Sequence, residues 1–178
     1  MSENRLSAAS FADLALPLFD QLYNFARWLT RDQTEADDLV QETYAKALRG
    51  FSSFQAGTNF RAWMYRILRN SFLSSRTGLK TTVVLDEEGG DGLPAETATP
   101  ESLLIEQANR EMVQQALEAL AVPFREILLL CEVEEMSYQE ISETLAIPIG
   151  TVMSRLSRAR RALRETLLER IEGGRHGV

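Results

Sequence analysis

The chain has 178 residues and a net charge of −7, and its 44% hydrophobic and 25% charged residues are typical of a globular protein. One histidine (His176) and one cysteine (Cys131, in the apolar run ILLLC) exclude a zinc site, and no catalytic set or glycine-rich phosphate loop is found in the sequence. We therefore expect no enzyme, metal, cofactor or small-molecule substrate, and a buried, inert Cys131 thiol. The sequence has no long apolar run or signal pattern, which predicts a cytoplasmic protein without a membrane segment.

The charges fall into four alternating blocks. Residues 1–45 and 81–143 are acidic, with net charges of −5 and −13, whereas residues 46–80 and 144–178 are basic, with +7 and +4. Charge blocks of this kind are often only solvated helix faces. The two basic blocks nevertheless provide enough clustered cations for two separate anion-binding surfaces on an acidic chain.

The spacing of the apolar residues predicts an all-α fold with two small helical domains, 8–77 and 103–172. We expect a flexible acidic linker, 78–102, between them. Its C-terminal part, DEEGGDGLPAETATPES, is rich in Gly, Pro and Glu and has almost no large apolar residues, so it cannot offset its ordering entropy by burial.

The first domain is predicted to contain helices over about 11–30, 34–50 and 59–75. Thr34 is the predicted N-cap of the middle helix. At 100° per residue, this helix has an apolar side that includes Leu39 and Val40, and an opposite side that includes Asp38 and Glu42.

The second domain is predicted to contain helices over 102–120, from Pro123 to about Val133, over YQEISETL, and from Thr151 onward. Ser137 and Glu140 form a capping box for the third of these, and Pro148 and Gly150 end it. Thr151 is the predicted N-cap of the last helix. Two helices joined by the short turn AIPIG predict a helix-turn-helix.

The last helix has an apolar seam and an opposite polar face. The seam is formed by Val152, Leu156, Ala159 and Leu163. The polar face carries Ser154, Ser157, Arg158, Arg161 and Arg164, while Arg155 and Arg160 flank the seam. This division favours a helix that reads DNA in the major groove, since small hydroxyls allow close approach and guanidinium groups bind phosphates or guanine. A surface helix whose arginines pair with acidic neighbours is the alternative.

Three stretches of the chain resemble one protein family. MSYQEISETLAIPIGTVMSRLSRARRAL resembles region 4 of the bacterial extracytoplasmic-function sigma factors, although Val122-Pro123 stands where those proteins often have Leu-Pro. ADDLVQETYAKAL resembles their region 2.2, and FRAWMYRILRNSFLSSR resembles their regions 2.3 and 2.4. The resemblance covers nearly all of the chain except the linker and both tails, and it implies the minimal two-domain form.

The resemblance implies a promoter-recognition subunit that binds core RNA polymerase and directs transcription initiation. The implied polymerase contacts are Asp37, Asp38, Gln41 and Glu42, for which helix capping and solvation are the alternative. The implied contacts with the melted minus-10 strand are Asn59, Arg61, Tyr65, Arg66, Arg69, Asn70 and Arg76. The implied contacts with duplex minus-35 promoter DNA are Thr151, Ser154, Arg155, Ser157, Arg158 and Arg161.

The resemblance also implies a cognate anti-sigma factor that covers these surfaces. Trp63 and Ile67 are expected to be core residues rather than stacking platforms, and the loop SSFQAGT is the expected place for a captured base. The rival interpretation is a stand-alone helix-turn-helix regulator that binds an operator by itself. That interpretation leaves ADDLVQET and the basic block 46–80 without a role.

Overall fold

The structure, a computed structural model, describes residues 8–77 and 110–175. All regular elements in these ranges are helical, which confirms the all-α prediction. The predicted linker 78–102 lies outside the described residues. The helices are α1 (Ala8–Ala15), α2 (Phe19–Thr30), α3 (Gln33–Gly50), α4 (Phe60–Thr77), α5 (Arg110–Ala119), α6 (Val122–Leu128), α7 (Tyr138–Leu145) and α8 (Ile149–Arg175).

The chain divides into two compact units. The described residues of the first are 8–77 and 139–146, and those of the second are 110–138 and 147–175. In the first unit α3 packs against both α2 and α4, and in the second unit α8 packs against α5 and α6. The division at 103–172 made from the sequence remains a prediction.

A proline divides the first predicted helix. Instead of one helix over 11–30, α1 and α2 are separated by a 3-10 turn, Leu16–Leu18, with Pro17 in its first residues. Proline has no backbone N–H and its ring clashes with the preceding turn, so it cannot continue an α-helix. The hydroxyl of Tyr44 on α3 donates a hydrogen bond of 2.7 Å to the carbonyl of Ala15 at this break. Burial, followed by the charge of Asp20, raises the pKa of Tyr44 to about 12.

The N-cap predicted for the second helix is wrong by two residues. The cap of α3 is Asp32 rather than Thr34, and its Oδ1 accepts a hydrogen bond of 2.9 Å from the backbone N–H of Glu35. Aspartate is at least as good a cap as threonine and adds a negative charge at the positive end of the helix dipole. The predicted apolar side is confirmed, since Leu39 and Val40 are buried.

A buried arginine closes the end of α5 in the second unit. Arg125 is buried on α6, and its guanidinium donates hydrogen bonds of 3.0–3.1 Å to the carbonyls of Leu117, Glu118 and Leu120. The carbonyls of Leu117 and Glu118 lie in the last turn of α5, where backbone acceptors have no partner within the helix, and that of Leu120 follows directly after it. Pro123 opens α6 as predicted. The segment then continues as one π-helical turn, Leu129–Val133, rather than as a uniform helix.

The last helix begins earlier than the sequence indicated. Ala146 adopts the left-handed conformation (φ 54°) directly after α7, and such a residue commonly ends a helix. Helix α8 then starts at Ile149, so Thr151 lies in its first turn and is not the N-cap that was predicted. The carbonyl of Pro148 accepts the first hydrogen bond, from the N–H of Val152, at 3.0 Å. Proline is compatible with this position because it needs no donor there.

Candidate nucleic-acid interface

Helix α8 is anchored along the predicted apolar seam. Val152, Leu156, Ala159 and Leu163 are all buried, and Leu167 extends the same line by one more turn. A seam this narrow leaves most of the circumference of the helix for other contacts.

The face opposite the seam carries most of the predicted minus-35 residues. Ser157 and Arg161 are exposed, whereas Thr151, Ser154 and Arg158 are half-buried. The hydroxyl of Ser154 donates a hydrogen bond of 3.2 Å to the carbonyl of Thr151. The structure therefore brings these five predicted residues to one end of one helix, with small and cationic side chains side by side.

Arg155 is separated from this set. Its side chain lies beside the seam and the residue is only 8% exposed, so it is part of the packing around α8. A helical projection placed Arg155 at the edge of the seam, but a projection cannot show how deeply the neighbouring elements cover that edge.

Arg160 is held by the segment that precedes the helix-turn-helix. Its Nη2 donates to Glu132 Oε1 at 2.8 Å, and its Nε donates to the same oxygen at 3.2 Å. The Cys131 sulfur lies 3.7 Å from the same Nη2. The predicted burial of Cys131 is wrong in degree, because the residue is half-buried. Burial and then the charge of Glu132 raise the pKa of this thiol, which keeps it protonated.

The predicted minus-10 residues on α4 also differ from one another in their exposure to solvent. Tyr65 is completely buried, and its ring packs edge-on against Phe25 at a centroid distance of 5.2 Å. Asn70 is exposed, and Arg69 is half-buried. In this conformation Tyr65 is a core residue, and no base can stack on it.

Two of the predicted arginines on α4 contact aromatic rings of the same helix. The guanidinium of Arg61 lies 5.7 Å from the ring centroid of Tyr65, and that of Arg76 lies 5.2 Å from the centroid of Phe72. Arg76 also forms a salt bridge of 2.7 Å with Glu35 at the start of α3. This pair joins the first turn of α3 to the last turn of α4.

The start of α4 contacts α7, which belongs to the same compact unit. The Oδ1 of Asn59 accepts a hydrogen bond from the N–H of Ala62, which makes Asn59 a cap, and its Nδ2 donates to Glu140 Oε1 at 2.9 Å. The guanidinium of Arg66 donates to the carbonyl of Glu143, at 2.9 Å from Nε. A nucleotide that uses Asn59 or Arg66 must compete with these contacts.

An aromatic cluster borders the loop between α3 and α4, and the sequence predicts only part of it. The centroid of the Trp63 ring lies 5.0 Å from that of Phe54 and 5.6 Å from that of Phe60. All three residues are half-buried, as is Ile67, so the expectation of core positions holds only for one side of these residues. Gly57 in the loop has φ 88°, a conformation that favours glycine.

The acidic residues predicted to bind polymerase lie together on α3. Asp37, Asp38, Gln41 and Glu42 are all exposed, and the last three lie opposite the buried residues of the helix. Glu42 also forms a salt bridge of 2.6 Å with Lys46, one turn further along. We call Asp37, Asp38, Gln41 and Glu42 the acidic face of α3.

Two family models match the chain. The model described as Sigma-70 region 2 matches residues 17–81, and the model described as Sigma-70, region 4 matches residues 110–163. The ECF RNA polymerase sigma factor SigW of Bacillus subtilis is 31% identical over 89% of this chain and 89% of its own length. The chain belongs to the ECF RNA polymerase sigma factor family.

A second curated relative matches this chain over only part of its own length. The ECF RNA polymerase sigma factor SigE of Mycolicibacterium smegmatis is 37% identical over 89% of this chain, but the match spans only 62% of SigE. Sigma factors are transcription initiation factors, which agrees with the function that the sequence resemblance implied.

Two solved structures share this fold. The sigma factor RpoE of Bartonella quintana, in complex with the anti-sigma factor NepR, has a TM-score of 0.68 at 30% identity, covering 90% of this chain and 98% of that chain. CnrH, in complex with the cytosolic domain of CnrY, has a TM-score of 0.66 at 24% identity, with 90% and 89% covered. At 24% identity, the likeness to CnrH shows only that the two chains share a fold.

The two family models divide the described helices of this sigma factor. The region 2 match includes α2, α3 and α4, and therefore the acidic face. The region 4 match runs from the start of α5 into α8 and ends at Leu163 of the seam. Within 8–77 and 110–175, the structure contains no helix long and apolar enough to cross a membrane.

Proposed function

We propose that this sigma factor binds core RNA polymerase through the acidic face of α3 and places α8 in the major groove of minus-35 promoter DNA. The observation that carries the proposal is that one chain presents both an exposed carboxylate surface and an exposed arginine face, on different helices. Charged surfaces of opposite sign speed association with complementary partners and fix their orientation. A protein that binds DNA alone has no need of the acidic face.

The α8 residues that we assign to minus-35 recognition are those opposite the seam. Ser157 and Arg161 are exposed, and Arg158 is half-buried beside them. Arginine binds the O6 and N7 atoms of guanine with two hydrogen bonds, and it also neutralises phosphates. Arg155 is left out of this assignment because it is buried.

Recognition of the melted minus-10 strand is proposed for α4 and the loop before it. Arg66, Arg69 and Asn70 supply cationic and amide groups, and the half-exposed rings of Trp63 and Phe54 supply aromatic surface for an unstacked base. Tyr65, which the sequence suggested for this role, is replaced by Trp63 because Tyr65 is buried.

Control by an anti-sigma factor is part of the proposal. RpoE of Bartonella quintana, a structural neighbour at 30% identity, is seen in complex with the anti-sigma factor NepR. Because RNA polymerase acts in the cytoplasm, we place this protein there, and we propose that it has no catalytic activity of its own.

Reversal of the acidic face tests the proposal. Replacing Asp38→Lys together with Glu42→Lys is expected to reduce co-purification with core polymerase by about tenfold or more, since opposite charge becomes like charge at the interface. The matched control is Asp13→Lys with Asp20→Lys, which makes the same charge change at exposed positions of α1 and α2. If both pairs weaken polymerase binding equally, or if the wild-type chain binds an operator tightly but never binds core polymerase, a stand-alone regulator is the better description.

A further inference from the structure

Arg160 is adjacent to Arg161 in the sequence, but its hydrogen bonds run to an earlier segment of its own unit, as do those of Arg170 further along the helix. Arg160 lies one turn after Leu156 and three residues before Leu163, both buried, so it borders the seam rather than the opposite face. Its two hydrogen bonds to Glu132 join α8 to a segment 28 residues earlier in the chain. The side chains are only partly exposed, 35% for Arg160 and 50% for Glu132.

Neighbouring side chains also contact the Arg160–Glu132 pair. The Cys131 sulfur contacts the guanidinium of Arg160, and a hydrogen bond with Tyr138 further stabilises the charged form of Arg160. Partial burial by itself lowers the pKa of Arg160, but the hydrogen bond and charge of Glu132 outweigh it and the pKa is raised. The guanidinium is therefore fully charged, and that charge is directed toward its own domain.

We infer that Glu132 is a positioning residue that withholds Arg160 from the DNA backbone, so that duplex contacts come from the arginines on the opposite face. The inference rests on the proposed binding of α8 to duplex DNA. Each arginine that reaches a phosphate adds sequence-independent affinity, which does not distinguish one promoter from another. Holding Arg160 back reduces that non-specific share and leaves recognition to the groove-facing residues, of which Arg161 is exposed.

Two other roles for the pair predict different behaviour. In the first, Arg160 leaves Glu132 and contacts a phosphate whenever DNA binds, so the pair exists only in the free protein. In the second, the pair is a structural tether between α8 and the π-helical turn, with no effect on DNA. A salt bridge with this exposure contributes only about 0–1 kcal/mol to stability, so stability measurements alone cannot distinguish these roles.

The number of phosphates contacted can be measured from the dependence of binding on salt. We would assemble the full-length chain with core polymerase and use the promoter fragment that this holoenzyme selects from sheared genomic DNA of the source organism. Affinity is then measured from about 0.05 to 0.2 M KCl, where each phosphate contact changes the slope of log K against log[salt] by about 0.9. The variants are Glu132→Gln, Arg160→Gln and the double variant. Glu169→Gln removes one negative charge at an exposed position of α8, and Arg161→Gln removes a proposed DNA contact.

The inference predicts that Glu132→Gln steepens the slope by about 0.9, so that affinity changes about three- to fourfold more over this salt range than for the wild type. Arg160→Gln and the double variant should both match the wild type, and Glu169→Gln should not steepen the slope. A shallower slope for Arg160→Gln, no change for Glu132→Gln, or an equal effect of Glu132→Gln when Arg160 is absent would each overturn the inference. If the holoenzyme selects no promoter, or if Arg161→Gln binds like the wild type, it is the proposed function that fails.

Discussion

Helices α4 and α8 are both rich in arginine, but they pack in different ways. Helix α4 is buried over a broad side that comprises Ala62, Met64, Tyr65, Leu68, Ser71 and Phe72. Helix α8 is buried along one narrow seam, and Arg161 and Arg164 are exposed on its far side. A broadly packed helix uses several of its polar groups for contacts within the protein, as Arg76 does with Glu35. A helix packed on a seam keeps one continuous face for a partner.

The two ways of packing match the two forms of DNA that the protein is proposed to bind, melted DNA for α4 and duplex DNA for α8. Duplex DNA is a stiff cylinder, and a straight helix with one polar face fits its major groove. A melted strand is flexible and its bases can turn outward, so separate pockets and short stretches of surface are enough to bind it. The half-buried Trp63 and Phe54 beside the loop are surfaces of that second kind.

The largest expected effect is at Tyr65, a buried residue of α4 that the family resemblance assigns to DNA binding. Tyr65→Ala removes a completely buried ring and should lower the free energy of unfolding by about 3–5 kcal/mol, as measured by urea titration. The control Asn70→Ala, at an exposed position on the same helix, should change it by less than about 0.5 kcal/mol. A Tyr65→Ala protein of normal stability that no longer binds the minus-10 strand would show that this ring acts on DNA.

A medium effect is expected from two arginines of α8 that the family resemblance both assigns to minus-35 DNA. Arg155→Ala should lower the free energy of unfolding by about 1–3 kcal/mol, because it removes buried contacts. Arg161→Ala should leave stability unchanged and weaken promoter binding by about 1–3 kcal/mol, because this side chain is exposed on the polar face. Thermal unfolding and promoter-binding titrations on both variants check this division. Equal effects of the two substitutions on both measurements would contradict it.

The smallest effect is expected at the Arg76–Glu35 salt bridge. Both side chains are about half-exposed, so Arg76→Gln should lower stability by only about 0.2–1 kcal/mol. Glu35→Gln should cost no more than Arg76→Gln, which also loses the contact with Phe72, and the double variant should cost about as much as Arg76→Gln, since the salt bridge is already absent from it. Arg76 would instead be a DNA contact if Arg76→Gln flattened the salt dependence of minus-10 strand binding and Glu35→Gln steepened it.

Much of the site could be predicted from periodicity because it lies within single helices. The buried seam of α8 and the polar side of α3 with Asp38 and Glu42 follow from the 3.6-residue repeat alone, and the structure confirms the burial of the seam and the exposure of these two carboxylates. Helix ends were predicted less well. The cap of α3 is Asp32 rather than Thr34, and α8 begins before Thr151. Several nearby residues satisfy the same preference for the N-cap position, so the sequence does not decide between them.

The sequence by itself determined the helical fold, the family and the faces of the helices, since each depends on residues close together in the chain. Only the tertiary structure decided which polar side chains on those faces are available. Glu132 reaches Arg160 across 28 residues, and Glu35 reaches Arg76 across 41. Burial of Tyr65 and Arg155 likewise depends on helices that pack around them. A helical projection contains no information about such partners, because the packing of other elements sets the position of a salt bridge and the depth of a side chain.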